Sequence, residues 1–113
     1  MSKRPWMAFW VDDYLSATAD LKAIEHGAYI LLIIQYWKHG GLPIDEERLS
    51  IIARLNPREW KAHRHVLAAL FEPGWRHKRI DEEIRKAEAL ADKRREAGAR
   101  GGWPNKGPFK VVK

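Results

Sequence analysis

The clearest chemistry-bearing pattern in this sequence is a set of basic side chains on one predicted helix. At about 100° per residue, Arg58, Lys61 and His65 fall within roughly 60° of one another, and Arg64 borders them. Trp60, His63, Val66, Leu67, Leu70 and Phe71 take the other side. Such a face suits nucleic acid: an arginine can hold a guanine edge or a phosphate through two hydrogen bonds, and a lysine meets a phosphate as a point charge. Arg76, Lys78 and Arg79 form a second basic group, suited to backbone phosphates. A third group, Lys93, Arg94, Arg95 and Arg100, is dense enough for several phosphate contacts. Beyond it, Trp103 and Phe109 interleave with Lys106 and Lys110, which suits stacking on unpaired bases. A solvated helix face and a soluble terminus carry the same residue types, so both readings stay open here.

Other chemistries find less support. His63 and His65 point about 200° apart on a helix and cannot share a metal. Glu59 and His63 lie on one face but supply two ligands only. The chain has no cysteine, which excludes disulfides, zinc thiolates and iron–sulfur clusters. No phosphate-binding glycine loop, nucleophile-elbow serine or cysteine nucleophile is present. Asp12 and Asp13 are adjacent and read as acids favouring a helix N-terminus. The expectation is a non-enzyme without metal or cofactor.

The net charge of +6 is unevenly placed. Residues 1–92 hold 14 Lys and Arg against 14 Asp and Glu. Residues 93–113 hold seven against one, so the whole excess sits in that basic tail. The longest apolar run, residues 28–34, is seven residues long, and a bilayer span needs about 20. Asp12 and Asp13 interrupt the apolar run that follows Lys3 and Arg4, which rejects a secretory signal. Lack of cysteine fits a reducing compartment, so a cytoplasmic protein with no membrane partner is expected.

The elements that must position these residues read as follows. Residues 6–11 are aromatic and β-branched, enough for one strand. Asp12-Asp13-Tyr14-Leu15 starts a short helical turn. Residues 23–39 form a long helix that stops at Gly40-Gly41 and is apolar nearly all round, as a helix would be that sits in the middle of a core or buries one face in a partner. Asp45 caps a short helix ending near residue 55, and Asn56-Pro57 restarts the chain in a helix running to about residue 71. Pro73-Gly74 separates residues 70–72 from the alternating run 75–80, which predicts a β-hairpin. Asp81-Glu82-Glu83 opens a last helix to about residue 97. Trp6, Trp10, Trp37, Trp60 and Trp75 recur in successive elements and read mostly as core anchors, with Trp6 alternatively an exposed anchor for a partner. A helix pair with a tight restart followed by a hairpin is the order of a winged helix-turn-helix. The predicted fold is therefore mainly α with a small β-hairpin. A winged-helix-like body over residues 1–80 precedes a helix over 81–97 and a flexible basic tail over 98–113.

Several strings then occur in a fixed order: Trp6-Met7, Asp13-Tyr14-Leu15, Thr18, Glu25-His26-Gly27-Ala28-Tyr29, Tyr36-Trp37 and Gly40-Gly41-Leu42-Pro43. Ile52-Ala53-Arg54, Trp60, Phe71 and the run 77–83 continue it. Over about residues 6–100 this resembles the YdaU-like family of phage and prophage proteins, a domain of unknown function. Members are often encoded beside phage replication genes, and longer ones resemble replication-initiation proteins with a winged-helix N-terminal domain. The resemblance implies a DNA-binding protein of phage replication and transfers no catalytic residue. Ala8 stands where the family usually has proline. Lys22 stands where it often has a capping serine or threonine, so the long helix is expected to start weakly or shifted, with Asp20 as an alternative cap.

The expected partner is nucleic acid, duplex or single-stranded, with a homodimer or a phage or host replication protein as further partners. The alternative is a protein–protein adaptor or phage inhibitor that uses the winged helix as a scaffold.

Overall fold

The computed structural model describes residues 4–99 of the chain. Five helices follow one another there: α1 Val11–Ala17, α2 Ala23–His39, α3 Glu46–Ile52, α4 Pro57–Ala68 and α5 Lys78–Ala99. Among the described residues the protein is helical and contains no β-strand.

Helix α2 is the axis of the fold, and α3, α4 and α5 all pack on it. Leu32 and Tyr36 of α2, Leu49 of α3 and Leu67 of α4 are fully buried. That explains why α2 is apolar nearly all round: neighbours cover it from several sides. Its start is not shifted, although Lys22 offers no acceptor. The Glu25 carboxylate reaches back and accepts the Lys22 backbone N–H at 2.8 Å. Its end is set by Gly40, whose φ of 81° lies in the left-handed region and whose N–H donates to the Tyr36 carbonyl at 2.7 Å.

The caps of the next two helices are those their sequences dictate. Asp45 accepts the Glu47 N–H at 3.0 Å. Asn56 and Glu59 exchange reciprocal bonds of 2.8 and 2.9 Å, a complete capping box with Pro57 at the first helical position. Both helices are shorter than predicted. Helix α3 stops at Ile52 because Arg54 turns left-handed at φ 63°, and Leu55 then donates to the Ser50 carbonyl at 3.0 Å and enters the core. After Ala68 the chain tightens into three-residue turns, Leu70 N–H to Leu67 and Phe71 N–H to Ala68.

Two strand predictions fail. Residues 6–10 are non-helical and pair with no strand. The predicted hairpin around Pro73-Gly74 is a tight turn closed by one antiparallel bridge, Glu72 with Arg76, in which each N–H meets the other's carbonyl at 2.7 and 3.1 Å. The wing of a winged helix is thus absent from these residues. The reason lies in two side chains. Trp75, at φ 60°, turns into the core against Trp60 and Phe71. His77 then starts α5 three residues before the predicted Asp81: its Nδ1 accepts the Ile80 N–H at 3.3 Å and its carbonyl the Asp81 N–H at 2.9 Å. Helix α5 also continues past residue 97 to Ala99. Residues 100–113 of the predicted tail lie outside the described residues.

A chain of polar bonds ties the start of α5 to α2. The Tyr36 hydroxyl donates to Asp81 Oδ1 at 2.6 Å and accepts the His77 backbone N–H at 3.1 Å. His77 Nε2 lies 2.9 Å from the Tyr29 hydroxyl. Because Nδ1 accepts from Ile80, the neutral ring carries its proton on Nε2 and donates to Tyr29. Burial holds the His77 imidazole below its ordinary range, against the opposing pull of Asp81 and Glu72. Burial likewise pushes the Tyr29 hydroxyl up to about 12, and it raises Tyr36, with the Asp81 hydrogen bond adding to it.

Two outcomes follow from this network. Tyr36→Phe leaves the His77 N–H without its partner and removes one of the two bonds that Asp81 Oδ1 accepts, and should lower stability by about 1–3 kcal/mol, read as a reduced urea midpoint. A protonated His77 would set an Nδ1–H against the Ile80 N–H. Its depressed value means that its stabilisation is complete above the ordinary imidazole range near 6.5 and declines as the pH falls through it. The urea midpoint should therefore drop between neutral and mildly acidic pH. His77→Asn, which keeps a capping acceptor without titrating, should flatten that part of the profile.

Candidate functional site

The basic groups singled out in the sequence do not form one surface, because carboxylates recruit several of them into the fold. On α4, Trp60 and Leu67 face the core. Trp60 Nε1 donates to Glu46 Oε1 at 2.9 Å. Arg64 closes on the same carboxylate through Nε and Nη2 at 2.7 and 2.8 Å, a two-point clasp joining α4 to the start of α3. The Arg64 bond, then the Trp60 bond, hold the Glu46 carboxyl below its usual range. His63 turns to the N-terminus of α2, with Nδ1 2.7 Å from Glu25 Oε2. The buried Glu25 is held below its ordinary range chiefly by the Lys22 backbone N–H, with His63 adding to it.

What these clasps leave is the outer face of α4. Arg58, Lys61 and His65 are exposed there, with the small Ala62 and Ala69 between and beyond them. None of the three takes part in an ion pair among the described residues. Glu59, the carboxylate nearest in sequence, is folded back into the capping box. The face thus presents Arg58 and Lys61 outside any ion pair among the described residues.

The predicted wing cations separate. Arg76 donates to both Asp81 oxygens at 3.0 and 3.1 Å, and its guanidinium lies 5.2 Å from the centre of the Tyr36 ring. Arg79 donates to Asp13 at 2.8 Å and lies 5.5 Å from the Trp10 ring centre. Lys78 is exposed in the first turn of α5. Lys93, Arg94 and Arg95 lie on the distal half of α5, where residues 88–98 are all exposed, and Arg95 pairs with Asp92. Arg100 lies outside the described residues. Of the body's predicted contacts, then, Arg58, Lys61 and His65 remain together, while Arg64, Arg76 and Arg79 serve as ties.

A second feature escaped the sequence reading. The segment before α1, taken there for a strand, frames a half-open cavity of about 280 Å³. Met7, Phe9 and Trp10 line it together with Tyr14, Tyr29 and Trp37. Arg4 anchors the segment: Nη2 and Nε donate to the Trp37 carbonyl at 2.7 and 2.9 Å, and Trp37 Nε1 donates back to the Arg4 carbonyl at 3.2 Å. Trp10, read as a core anchor, is half-exposed, whereas Trp37, Trp60 and Trp75 are buried. The aromatic and β-branched run at residues 6–11 was visible, but such a composition also suits a strand. Among the described residues no group of three or more His, Asp or Glu is placed to hold a metal.

The residues that carried the family resemblance are mainly internal. His26 bonds Tyr14, Glu25 bonds Lys22 and His63, and Tyr29, Tyr36, His77 and Asp81 form the network that ties α5 to α2. Their bonds hold the helices to one another. No helix of the described residues is long and apolar enough to cross a membrane. No solved structure matches the chain. It is 39% identical over 101 residues to the uncharacterised protein YdaU of Escherichia coli (strain K12), a match covering 87% of this chain and 35% of YdaU, so it spans about a third of that relative's length. The family model described as a protein of unknown function (DUF1376) matches residues 5–85, and the chain belongs to that family.

Proposed function

We propose that this protein binds DNA through the outer face of α4, as a phage-derived protein resembling the N-terminal domain of replication initiators. The observation that carries the reading is the face of Arg58, Lys61 and His65, exposed and outside any ion pair among the described residues on a helix whose Arg64 and His63 are bonded to Glu46 and Glu25. Three further features support it. The face belongs to the second of two helices joined by residues 53–56, the order of a helix-turn-helix. Ala62 keeps the face low, so the helix can approach a groove closely. Lys93 and Arg94, with the basic residues beyond them, supply phosphate contacts that do not depend on sequence.

The small number of cations sets the scale. Each phosphate neutralised contributes about −0.9 to the slope of log affinity against log salt. The test is binding of labelled duplex and single strands by the full chain across a salt series. Arg58→Ala with Lys61→Ala should weaken binding and make the slope shallower by about two. Truncation after Gly98 should remove a further share. Absence of binding to any nucleic acid at low salt would overturn the proposal and favour the adaptor, for which the exposed aromatic N-terminal segment is the supporting observation.

A further inference from the structure

We infer that two copies of this chain associate through the segment before α1, each inserting its Trp6 into the other's aromatic cavity. Trp6 is 75% exposed and stands outside the cavity that its own neighbours line. A loose terminus would cover its apolar side chains with its own core. This one is held at both ends instead, by Arg4 on the Trp37 carbonyl and by Arg79, which bonds Asp13 and lies over Trp10. The segment is thereby pre-formed, with little ordering left to oppose association.

The sizes match. An apolar cavity of about 150 Å³ holds a benzene ring, and this one, at about 280 Å³, admits an indole. Trp6, Phe9 and Trp10 present roughly 350 Å² of apolar surface, taking about 150–250 Å² for a whole aromatic side chain. A standard interface takes about 800 Å² from each partner, a little over half of it apolar. A two-fold pairing requires one patch complementary to itself. Here Trp6 directly precedes Met7, which lines the cavity together with Phe9 and Trp10. The cavity rim sets Asp13 and Glu83 against Arg79, so no strong like charge opposes a second copy.

The experiment is sedimentation equilibrium of the full chain from low to high micromolar concentration. Dimers are expected, with a dissociation constant raised about 30-fold or more by Trp6→Ala, the loss typical of a buried aromatic anchor. Because Trp6 is exposed, the thermal unfolding of that variant should match the wild type below the dimer's concentration range. Ala17→Phe, at a residue lining the cavity, fills the hole while leaving Trp6 in place and should weaken association as well. A wild-type chain that stays monomeric at the highest concentration overturns the inference and leaves the face to a different protein. Dimers of unchanged affinity in Trp6→Ala also overturn it.

Discussion

The hydroxyl of Tyr36 is the constraint on which the rest of the arrangement depends. It is buried in the middle of the protein, where an unpaired hydroxyl would cost more than the bond it replaces. It resolves that cost by accepting from the His77 backbone and donating to Asp81. Those two residues are the cap and the first turn of α5. One side chain on the central helix therefore decides where the last helix begins, and that position determines which way Trp75, Arg76 and Arg79 point. His77 occupies both roles at once, capping α5 with Nδ1 and holding Tyr29 with Nε2. A neutral ring satisfies both partners and a protonated one does not, so the network is coupled to pH by construction.

The arginines tell a similar story. Arg4, Arg64, Arg76 and Arg79 each bond a carbonyl or a carboxylate, and Arg4, Arg76 and Arg79 also lie over the rings of Trp37, Tyr36 and Trp10. The guanidinium group suits this work because it is planar, always charged and weakly hydrated. In a protein this small, long side chains of this kind join elements whose own apolar surface is limited. The consequence for function is subtraction. Several charges that look available in the sequence are already bonded to acids, and of the predicted contacts on the body Arg58, Lys61 and His65 of α4 and Lys78 of α5 stay exposed outside any ion pair among the described residues.

That subtraction explains how much of the candidate site was legible. Helical periodicity places Arg58, Lys61 and His65 on one face, and they remain there because periodicity is a local property that packing did not override. It also puts Arg64 at the border of that face, and the border was settled by Glu46, 18 residues away. Arg76 and Arg79 were assigned to a wing because residues 75–80 alternate as a strand would. The alternation was real, but burial of Trp75 and capping by His77 turned the same residues into a turn and a helix. The cavity had no local signature beyond the aromatic run of its first segment. It arises where the segment before α1 crosses α2 near Trp37, a contact between residues more than 30 positions apart.

The sequence by itself determined the long central helix, its glycine stop, the Asp45 and Asn56 caps, and the placing of the net charge in the last residues. Each of these follows from residues within a turn or two of one another, where backbone geometry and capping chemistry act. Tertiary structure decided the rest: the start of α5, the absence of a hairpin, the pairing of the arginines, and an aromatic segment held across the end of α2. Those outcomes turned on which distant partner satisfied a buried polar group or an apolar ring, and the spacing of residues along a chain does not encode that choice.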